Sequence, residues 1–429
     1  MTINPENTSP NGRISRAAGA PLRVWEAENL FPDQAIYLDS PILSALKQIL
    51  PFYENGIFSE AHTPVFFRRK FLVGAHLALR KVPENLDIRI LRSSKVARIP
   101  VADGAVVFYP FNSQSNMTAV TNRRIHHVLT LHGESNKLAS NRPAARIYDY
   151  VCVAGPLGRD RYLNAGIFTN ADADGGRLVM MGDSFVQTVP WMRAAAETEG
   201  GALLYCPTWE GYGNGPDNYS SIVGLRGFAI AATAARSACA DEVIVKPHPY
   251  LGLLQRRLMN EFVQGVRMLV RDGFKVRLAM DSASLPLKVW CKLRLSDVDE
   301  VDLFAKEKVP VSLGICDVSG MEAVFLKQGI RHMVVTREAD IPESLEDFYF
   351  RKAILPGCDT KRGVRAYLNG SDEIDQMHCS RVFGWHDPAL RMMTGSERRK
   401  WLVEFVRNDD FWKHGRSKKP QDKSFGQIA

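Results

Sequence analysis

No apolar run in this chain reaches the roughly 18 residues that a membrane-spanning helix needs, so no such span is expected. Cysteine is sparse. The seven, at positions 152, 206, 239, 291, 316, 358 and 379, form no C-x-x-C pair. An odd, scattered set argues against both a disulfide framework and a zinc ribbon. Most sit in apolar strings such as Tyr150-Val151-Cys152-Val153, where cysteine serves as a small core hydrophobe. No His/Cys cluster has metal-ligand spacing, so neither a metal nor another cofactor is expected. The opening Met1-Thr2-Ile3-Asn4-Pro5 lacks the charged-then-apolar pattern of a secretory signal, which leads to the expectation of a cytoplasmic protein. Internal repeats and long low-complexity segments are missing. Basic residues are not interleaved with aromatics on a strand platform, which argues against nucleic acid as a partner.

What is present is the composition of a soluble globular protein: 429 residues, 45% hydrophobic and 24% charged. That length suits two or three domains. A net charge of +8 favours anionic partners, namely phosphorylated substrates or an acidic membrane surface. Residues 1–22, rich in Asn, Pro, Ser, Gly and Arg, read as a mobile arm, and residues 414–429 as a basic tail.

Between the tails, short apolar or β-branched runs alternate with helical patterns. Strands are expected at 105–109, 127–131, 150–154, 177–181, 202–206, 242–246, 275–279, 311–316 and 332–335, and the clearest helices at 219–238 and 253–272. Several runs are continuously apolar, as strands covered on both faces must be. This is the rhythm of α/β domains with parallel sheets. We expect two Rossmann-like, doubly wound domains, at 23–195 and 196–390, facing across a cleft, and a helix in 391–413 crossing back to the first. One stretch departs from the rhythm. Residues 66–81 are apolar at helical spacing with Arg68, Arg69, Lys70, Arg80 and Lys81 at the ends. It reads as a basic amphipathic helix suited to an anionic membrane surface or, alternatively, as a core-facing helix.

Four constellations lie where expected strands end, the place at which open α/β sheets bind ligands. In the first, His132-Gly133-Glu134 with Lys137 follows an apolar strand, and a histidine there is placed to act as a general base. A hydrogen-bonded structural histidine is the alternative. The second, Pro207-Thr208-Trp209-Glu210-Gly211, opens a glycine-rich loop suited to close contact with a phosphate or nucleotide. It is not the G-x-G-x-x-G dinucleotide fingerprint. In the third, Lys246-Pro247-His248-Pro249, two prolines fix the backbone around a histidine that, with Lys246, can offset negative charge. The fourth, Asp317-Val318-Ser319-Gly320, leads into a helix whose first N–H groups can receive an anion or merely be capped. Two weaker patterns compete. Gly182-Asp183-Ser184 with Asp375 and His378 imitates a serine hydrolase, and Asp172-Ala173-Asp174 imitates a metal-binding D-x-D.

Taken in order, the four constellations resemble those of the CDP-glycerol:poly(glycerophosphate) glycerophosphotransferases of teichoic acid and capsule synthesis. That family carries His-Gly-Thr with a nearby lysine, then Pro-Thr-Trp, Lys-Pro-His-Pro and Asp-Val-Ser-Ser; the resemblance spans roughly residues 105–336. It implies a GT-B fold and metal-independent transfer of a polyol-phosphate group from a CDP-activated donor to a hydroxyl of a cell-envelope polysaccharide or lipid-linked acceptor, at or near the inner face of the membrane. It implies His132 as the base and His248 with Lys246 on the donor pyrophosphate. Ser319, with Asp317 and Gly320, would hold a phosphate; Thr208, Trp209 and Gly211 complete the donor side, and Gly133, Glu134 and Lys137 the acceptor side or its support. Glu134 replaces the family's threonine and Gly320 its second serine, and both changes bear on donor identity. The alternatives are a nucleotide-sugar glycosyltransferase of the same fold and a non-catalytic nucleotide-binding assembly partner.

Overall fold

The computed structural model describes residues 13–15, 23–25, 31–39, 45–68, 86–91, 93–137, 142–210, 219–252, 254–280, 287–296, 298–303 and 307–409. Gly211, residues 69–81 of the expected amphipathic helix, the tail at 414–429, and the arm apart from Arg13–Ser15 lie outside these residues.

The described strands form two sheets. The first contains β1 (Arg13–Ser15), β2 (Arg23–Trp25), β3 (Gln34–Leu38), β4 (Val65–Arg68), β5 (Ile88–Leu91), β6 (Val106–Tyr109), β7 (His126–Leu129), β8 (Tyr150–Val153) and β9 (Leu178–Met180). Their order is β2-β1-β5-β4-β3-β6-β7-β8-β9. From β5 to β9 every pairing is parallel. The parallel part starts in the middle at β3, winds outward to β5, returns to the middle and winds the other way through β6 to β9. A doubly wound sheet built this way has its crevice where the winding reverses, between β3 and β6.

The second sheet repeats the plan with β10 (Met192–Ala194), β11 (Ala202–Cys206), β12 (Glu242–Val245), β13 (Lys275–Leu278), β14 (Asp299–Glu300), β15 (Val309–Asp317), β16 (His332–Val335) and β17 (Ala353–Ile354). The order is β14-β13-β12-β11-β15-β16-β17, with β10 on β15, and all pairs are parallel. Its reversal falls between β11 and β15. Two Rossmann-like α/β domains, the GT-B-like architecture, are therefore the fold of this chain.

Alternation explains why the strands are apolar throughout. Ile36, Leu38, Val106 and Phe108 join one core, while Ala35, Tyr37, Val107 and Tyr109 join another on the opposite face. Successive strand residues point to opposite faces, so a sheet covered on both sides needs apolar residues at every position. The second sheet is wrapped by a single continuous core.

The two domains are tied together by segments that follow their strands and helices. Lys327 donates to the carbonyls of Asp183 at 3.0 Å and Val186 at 2.8 Å, and the Gln328 amide donates to that of Val189 at 3.1 Å. After the helix Ser371–Val382 the chain returns to the first domain: the Gly384 N–H donates to Ala154 O at 2.9 Å, and Trp385 bridges Met181. Glycine is required here, because a Cβ on Gly155 would stand 2.4 Å from the Gly384 nitrogen. The helix Gly395–Asn408 starts with a capping box between Thr394 and Glu397 and places Leu402, Val403 and Val406 in the first domain's core.

The structure departs from the sequence reading in several places. Phe66, Phe67 and Arg68, expected to open an amphipathic helix, lie in β4. There Phe66 and Phe67 enter opposite cores, and Arg68 pairs with Asp39 at 2.7 Å. An alternating strand and a helix both accept a run this apolar, and pairing with β3 and β5 decides. Arg13–Ser15, within the expected arm, pairs with β2 and β5. β10 already belongs to the second sheet although it precedes residue 196, and residues 384–386 lie on the first domain although they precede 391. The helix expected from Tyr219 begins instead at Arg226, since Gly224 and Leu225 adopt left-handed φ values of 64° and 61°. Among the described residues no helix is long and apolar enough to cross a membrane.

Candidate functional site

The polar constellations of the two domains lie at the C-terminal ends of the parallel strands, after β7 in the first sheet and after β11, β12 and β15, around the reversal, in the second. On the first domain, β6 leads into Pro110 and β7 into His132. The His132 Nδ1 lies 2.9 Å from Pro110 O, and its ring packs on Phe111 with centroids 4.3 Å apart. Just before it, Leu131 holds a left-handed φ of 59°, a conformation that a bulky side chain adopts only under constraint from its surroundings. Burial pushes the His132 imidazole below its ordinary pKa, opposed in part by the Pro110 carbonyl.

On the second domain, β11 leads into Pro207-Thr208-Trp209 and β12 into Lys246-Pro247-His248. The Tyr250 N–H donates to His248 Nδ1 at 3.1 Å, and Trp209 stacks on the His248 ring with centroids 5.9 Å apart and 19° between planes. Burial, then the charges of Lys137, Lys246 and His132, push the His248 pKa down to about 3. That coupling places all four groups in one electrostatic neighbourhood. Lys137 crosses from the first domain: its ammonium donates to Thr208 Oγ1 at 2.5 Å and lies 5.9 Å from the centre of the Tyr219 ring. Burial lowers it to about 8, Asp317 partly offsetting this. Lys246 has no hydrogen-bond or ion-pair partner among the described residues.

Behind these groups stands a frame that takes no part in the open side. Asp317, fully buried at the end of β15, accepts at Oδ2 from the Thr208 N–H at 2.7 Å and the Ser221 N–H at 3.1 Å. Its Oδ1 has no hydrogen-bond partner among the described residues, and burial lifts the carboxyl to about 6 against the bonds that favour its charge. Asp317 thus ties the loop after β11 to the turn before the helix Arg226–Ser237. Glu134 turns away from the cleft: its carboxylate is buried, pairs with Arg161 and accepts from the Ala154 N–H at 3.1 Å. Gly133 lies beside it, and the carbonyl of Glu134 passes 3.5 Å from where a Cβ on Gly320 would stand. The Ser319 hydroxyl accepts from the Met321 N–H at 3.4 Å, and Gly320 is the residue that precedes the helix. That helix, Met321–Lys327, has only seven residues, so its dipole is small.

Three residues to which the motifs gave no role also shape the site. Glu210 is wholly buried and gathers the N–H groups of Gly252 at 3.0 Å and of Leu254 and Gln255 at 2.9 Å. It thereby fixes the loop that carries His248 to the loop that carries Trp209. Its place directly after Pro207-Thr208-Trp209 was the signal available for it. Arg337 follows β16 at a strand end, is held by Asp340 at Nη2–Oδ1 2.9 Å, and lies 5.3 Å from the centre of the Tyr219 ring. Tyr219 is therefore flanked by two cations, Lys137 and Arg337.

The competing patterns are taken up elsewhere. Ser184 lies 3.4 Å from an Arg398 nitrogen, whereas Asp375 and His378 both contact Lys352, so these three form no hydrolase triad. Asp172 completes the capping box of Thr169 and pairs with Arg146 and Arg177, which holds its pKa well below the carboxylate range despite the cost of burial. Among the described residues no three His, Cys, Asp or Glu side chains could hold a metal. A cavity of about 470 Å³ opens at the opposite, N-terminal edge of the second sheet, bordered by Gly201, Asp241 and Arg277. It contains none of the four constellations.

No family model and no curated protein matches this chain. Solved structures do. A variant of the wall teichoic acid polymerase TagF with CDPG is similar at 9% identity and a TM-score of 0.44, over 90% of both chains. Trehalose-6-phosphate synthase is similar at 8% and 0.44, over 88% of this chain and 99% of that one. The spinosyn rhamnosyltransferase SpnG with thymidine diphosphate is similar at 13% and 0.35, over 87% and 99%.

Proposed function

We propose that this protein is a transferase that moves a group from a nucleotide-diphosphate donor to an acceptor hydroxyl without a metal ion. The observation that carries this reading is the meeting of His132 and Lys137 from one domain with Thr208, Lys246 and His248 from the other. A pyrophosphate concentrates negative charge, and its departure needs compensating cations or hydrogen-bond donors in place beforehand. Lys137, Lys246 and Arg337 supply the cations; Arg337 is partly offset by Asp340, while burial raises the carboxyl of Asp317 to about 6. His132 supplies the base for the acceptor hydroxyl. Within that class the motif order favours a polyol-phosphate group on a CDP carrier and a cell-envelope polysaccharide or lipid-linked acceptor at the membrane's inner face. Thr208, Trp209 and Ser319, with Gly211, belong to the donor side in this reading; Asp317, Gly320, Gly133 and Glu134 support it.

A thermal-shift panel of CDP-glycerol, CDP-ribitol, nucleotide sugars, CMP and CDP, run without added metal, tests the reading. A ligand at a hundred times its Kd stabilises by about 2.7 kcal/mol, a shift that melting resolves. The nucleotide product then separates the chemistries. Attack on phosphorus releases a nucleoside monophosphate, and attack on an anomeric carbon releases a diphosphate. Silence across the panel overturns the proposal.

A further inference from the structure

The two cleft histidines differ in what their Nδ1 atoms face. His132 Nδ1 lies 2.9 Å from a carbonyl oxygen, that of Pro110, which can only accept. The Nδ1 must therefore carry the proton, and in the neutral ring Nε2 is a bare lone pair. His248 Nδ1 receives the Tyr250 backbone N–H at 3.1 Å, and an amide can only donate. Here Nδ1 must be the lone pair, so in the neutral ring the proton sits on Nε2. Neither Nε2 has a partner among the described residues.

We propose that the two rings are held in opposite neutral tautomers, so that His132 is the single general base and His248 is a hydrogen-bond donor that never carries the transferred proton. This deepens the transferase reading and rests on it. The surroundings reinforce the geometry. His248 faces Lys137, Lys246 and His132, three groups that disfavour a second positive charge, and its ring is covered by Trp209 and Tyr250. His132 faces Phe111 and the Pro110 carbonyl, and its titratable neighbour is His248. The turn at Leu251, whose N–H donates to His248 O at 3.0 Å, holds the Tyr250 amide in place.

For phosphoryl transfer the step balances as follows. His132 Nε2 takes the acceptor hydroxyl proton, and the oxygen lone pair forms a bond to the donor's distal phosphorus. The bridging P–O bond breaks, and its electron pair leaves with the nucleoside monophosphate. The His248 Nε2–H bonds to an oxygen of that departing phosphate and keeps its proton. His132 then returns its proton to solvent.

The direct test is two-bond proton–nitrogen correlation on the full-length protein with nitrogen-15 histidine, assigned by loss of signals in His132→Asn and His248→Asn. The expected result is an Nε2–H ring for His248 that stays neutral to about pH 5, and an Nδ1–H ring for His132 that takes up its second proton below about pH 6.5. An Nδ1–H tautomer or an imidazolium for His248 at neutral pH overturns the proposal. Kinetics with the donor found in the melting panel add a second arm. His248→Gln, which keeps an N–H donor, should retain roughly tenfold more turnover than His248→Ala, with the acid limb of the pH–rate profile unmoved. Equal loss in the two variants, or a shifted acid limb in His248→Gln, overturns it. If no nucleotide binds, the transferase reading falls, whereas the spectra still decide the tautomers.

Discussion

Two clusters in this protein use the same residue types, lysine, histidine and carboxylate, and do opposite things with them. In the cleft, Lys246 and the Nε2 atoms of His132 and His248 have no partner among the described residues. In the second cluster the polar groups face one another. Lys352, fully buried, directs its three N–H groups to Asp375 Oδ1 at 2.7 Å, His332 Nε2 at 3.0 Å and His378 Nδ1 at 3.1 Å. Tyr367 donates to Asp375 Oδ2 at 2.6 Å, and Tyr349 to Glu322 Oε2 at 2.7 Å. Lys352 and His378, whose Nε2 is 3.1 Å from Glu322, outweigh the burial that would raise this carboxyl, and its pKa lies below the ordinary value. A lysine whose three N–H groups are all directed at buried partners has nothing left to offer a ligand. Motif strings such as Asp375-x-x-His378 are therefore poor guides until the partner of each nitrogen is known.

The largest effect that sharpens the contrast is on stability. Lys352→Met leaves Asp375 and two histidine nitrogens facing an apolar group, and breaking a buried pair in this way costs about 3–5 kcal/mol. Lys246→Met, on a half-buried lysine with no partner among the described residues, should stay within about 1 kcal/mol of the native protein while losing most of the nucleotide-induced thermal shift. Denaturant titration of both variants checks this; equal destabilisation would erase the distinction between the clusters.

Next in size is catalysis. His132→Ala should lower turnover by about 10²–10⁴-fold with nucleotide affinity retained, measured by steady-state kinetics beside a melting curve with bound nucleotide. Glu210→Gln is smaller. It replaces one acceptor oxygen by an amide that confronts backbone N–H groups, and should cost about 1–3 kcal/mol. Through the loosened His248 loop it should also reduce turnover in the part that remains folded.

The gentlest probe is pH. His332 and His378 have pKa values lowered by burial and then by Lys352, so the folded state resists protonating them. Their contribution is present above the unfolded histidine value, about 6.5, and is lost as pH falls below it, at about 1.4 kcal/mol per pH unit for each such group. Asp317 acts with the opposite sign. With its pKa raised to about 6, its contribution is greatest below the unfolded carboxylate value and is lost as pH rises through about 6. The histidines outnumber it, so the melting temperature should fall below about pH 6.5, and a flat profile there would contradict their burial. Activity should add a basic limb near pH 8, where Lys137 loses its charge, and Lys137→Arg should move that limb upward.

Much of the site was legible because strand ends announce themselves. Val243-Ile244-Val245 gives way to Lys246-Pro247, where proline has no N–H to give a ladder, and the polar residues that follow fall at the binding edge. Glu210, Tyr219 and Arg337 were not legible as site residues. The three N–H groups that Glu210 collects belong to residues 252–255, and the Tyr219 ring that joins Lys137 to Arg337 is far from both in sequence. Nor did local pattern expose β4 as a strand.

By itself the sequence determined the kind of domain and the positions of the polar strand ends, because continuous apolar runs alternating with amphipathic helices can be buried in few other ways. The tertiary structure alone decided which polar groups remain open. It paired Arg68 with Asp39 and Glu134 with Arg161, closed the Lys352 network, and left His132 and His248 with opposite Nδ1 partners. Those outcomes depend on which carbonyls and amides the fold brings within about 3 Å of each side chain, a distance that spacing along the chain does not encode.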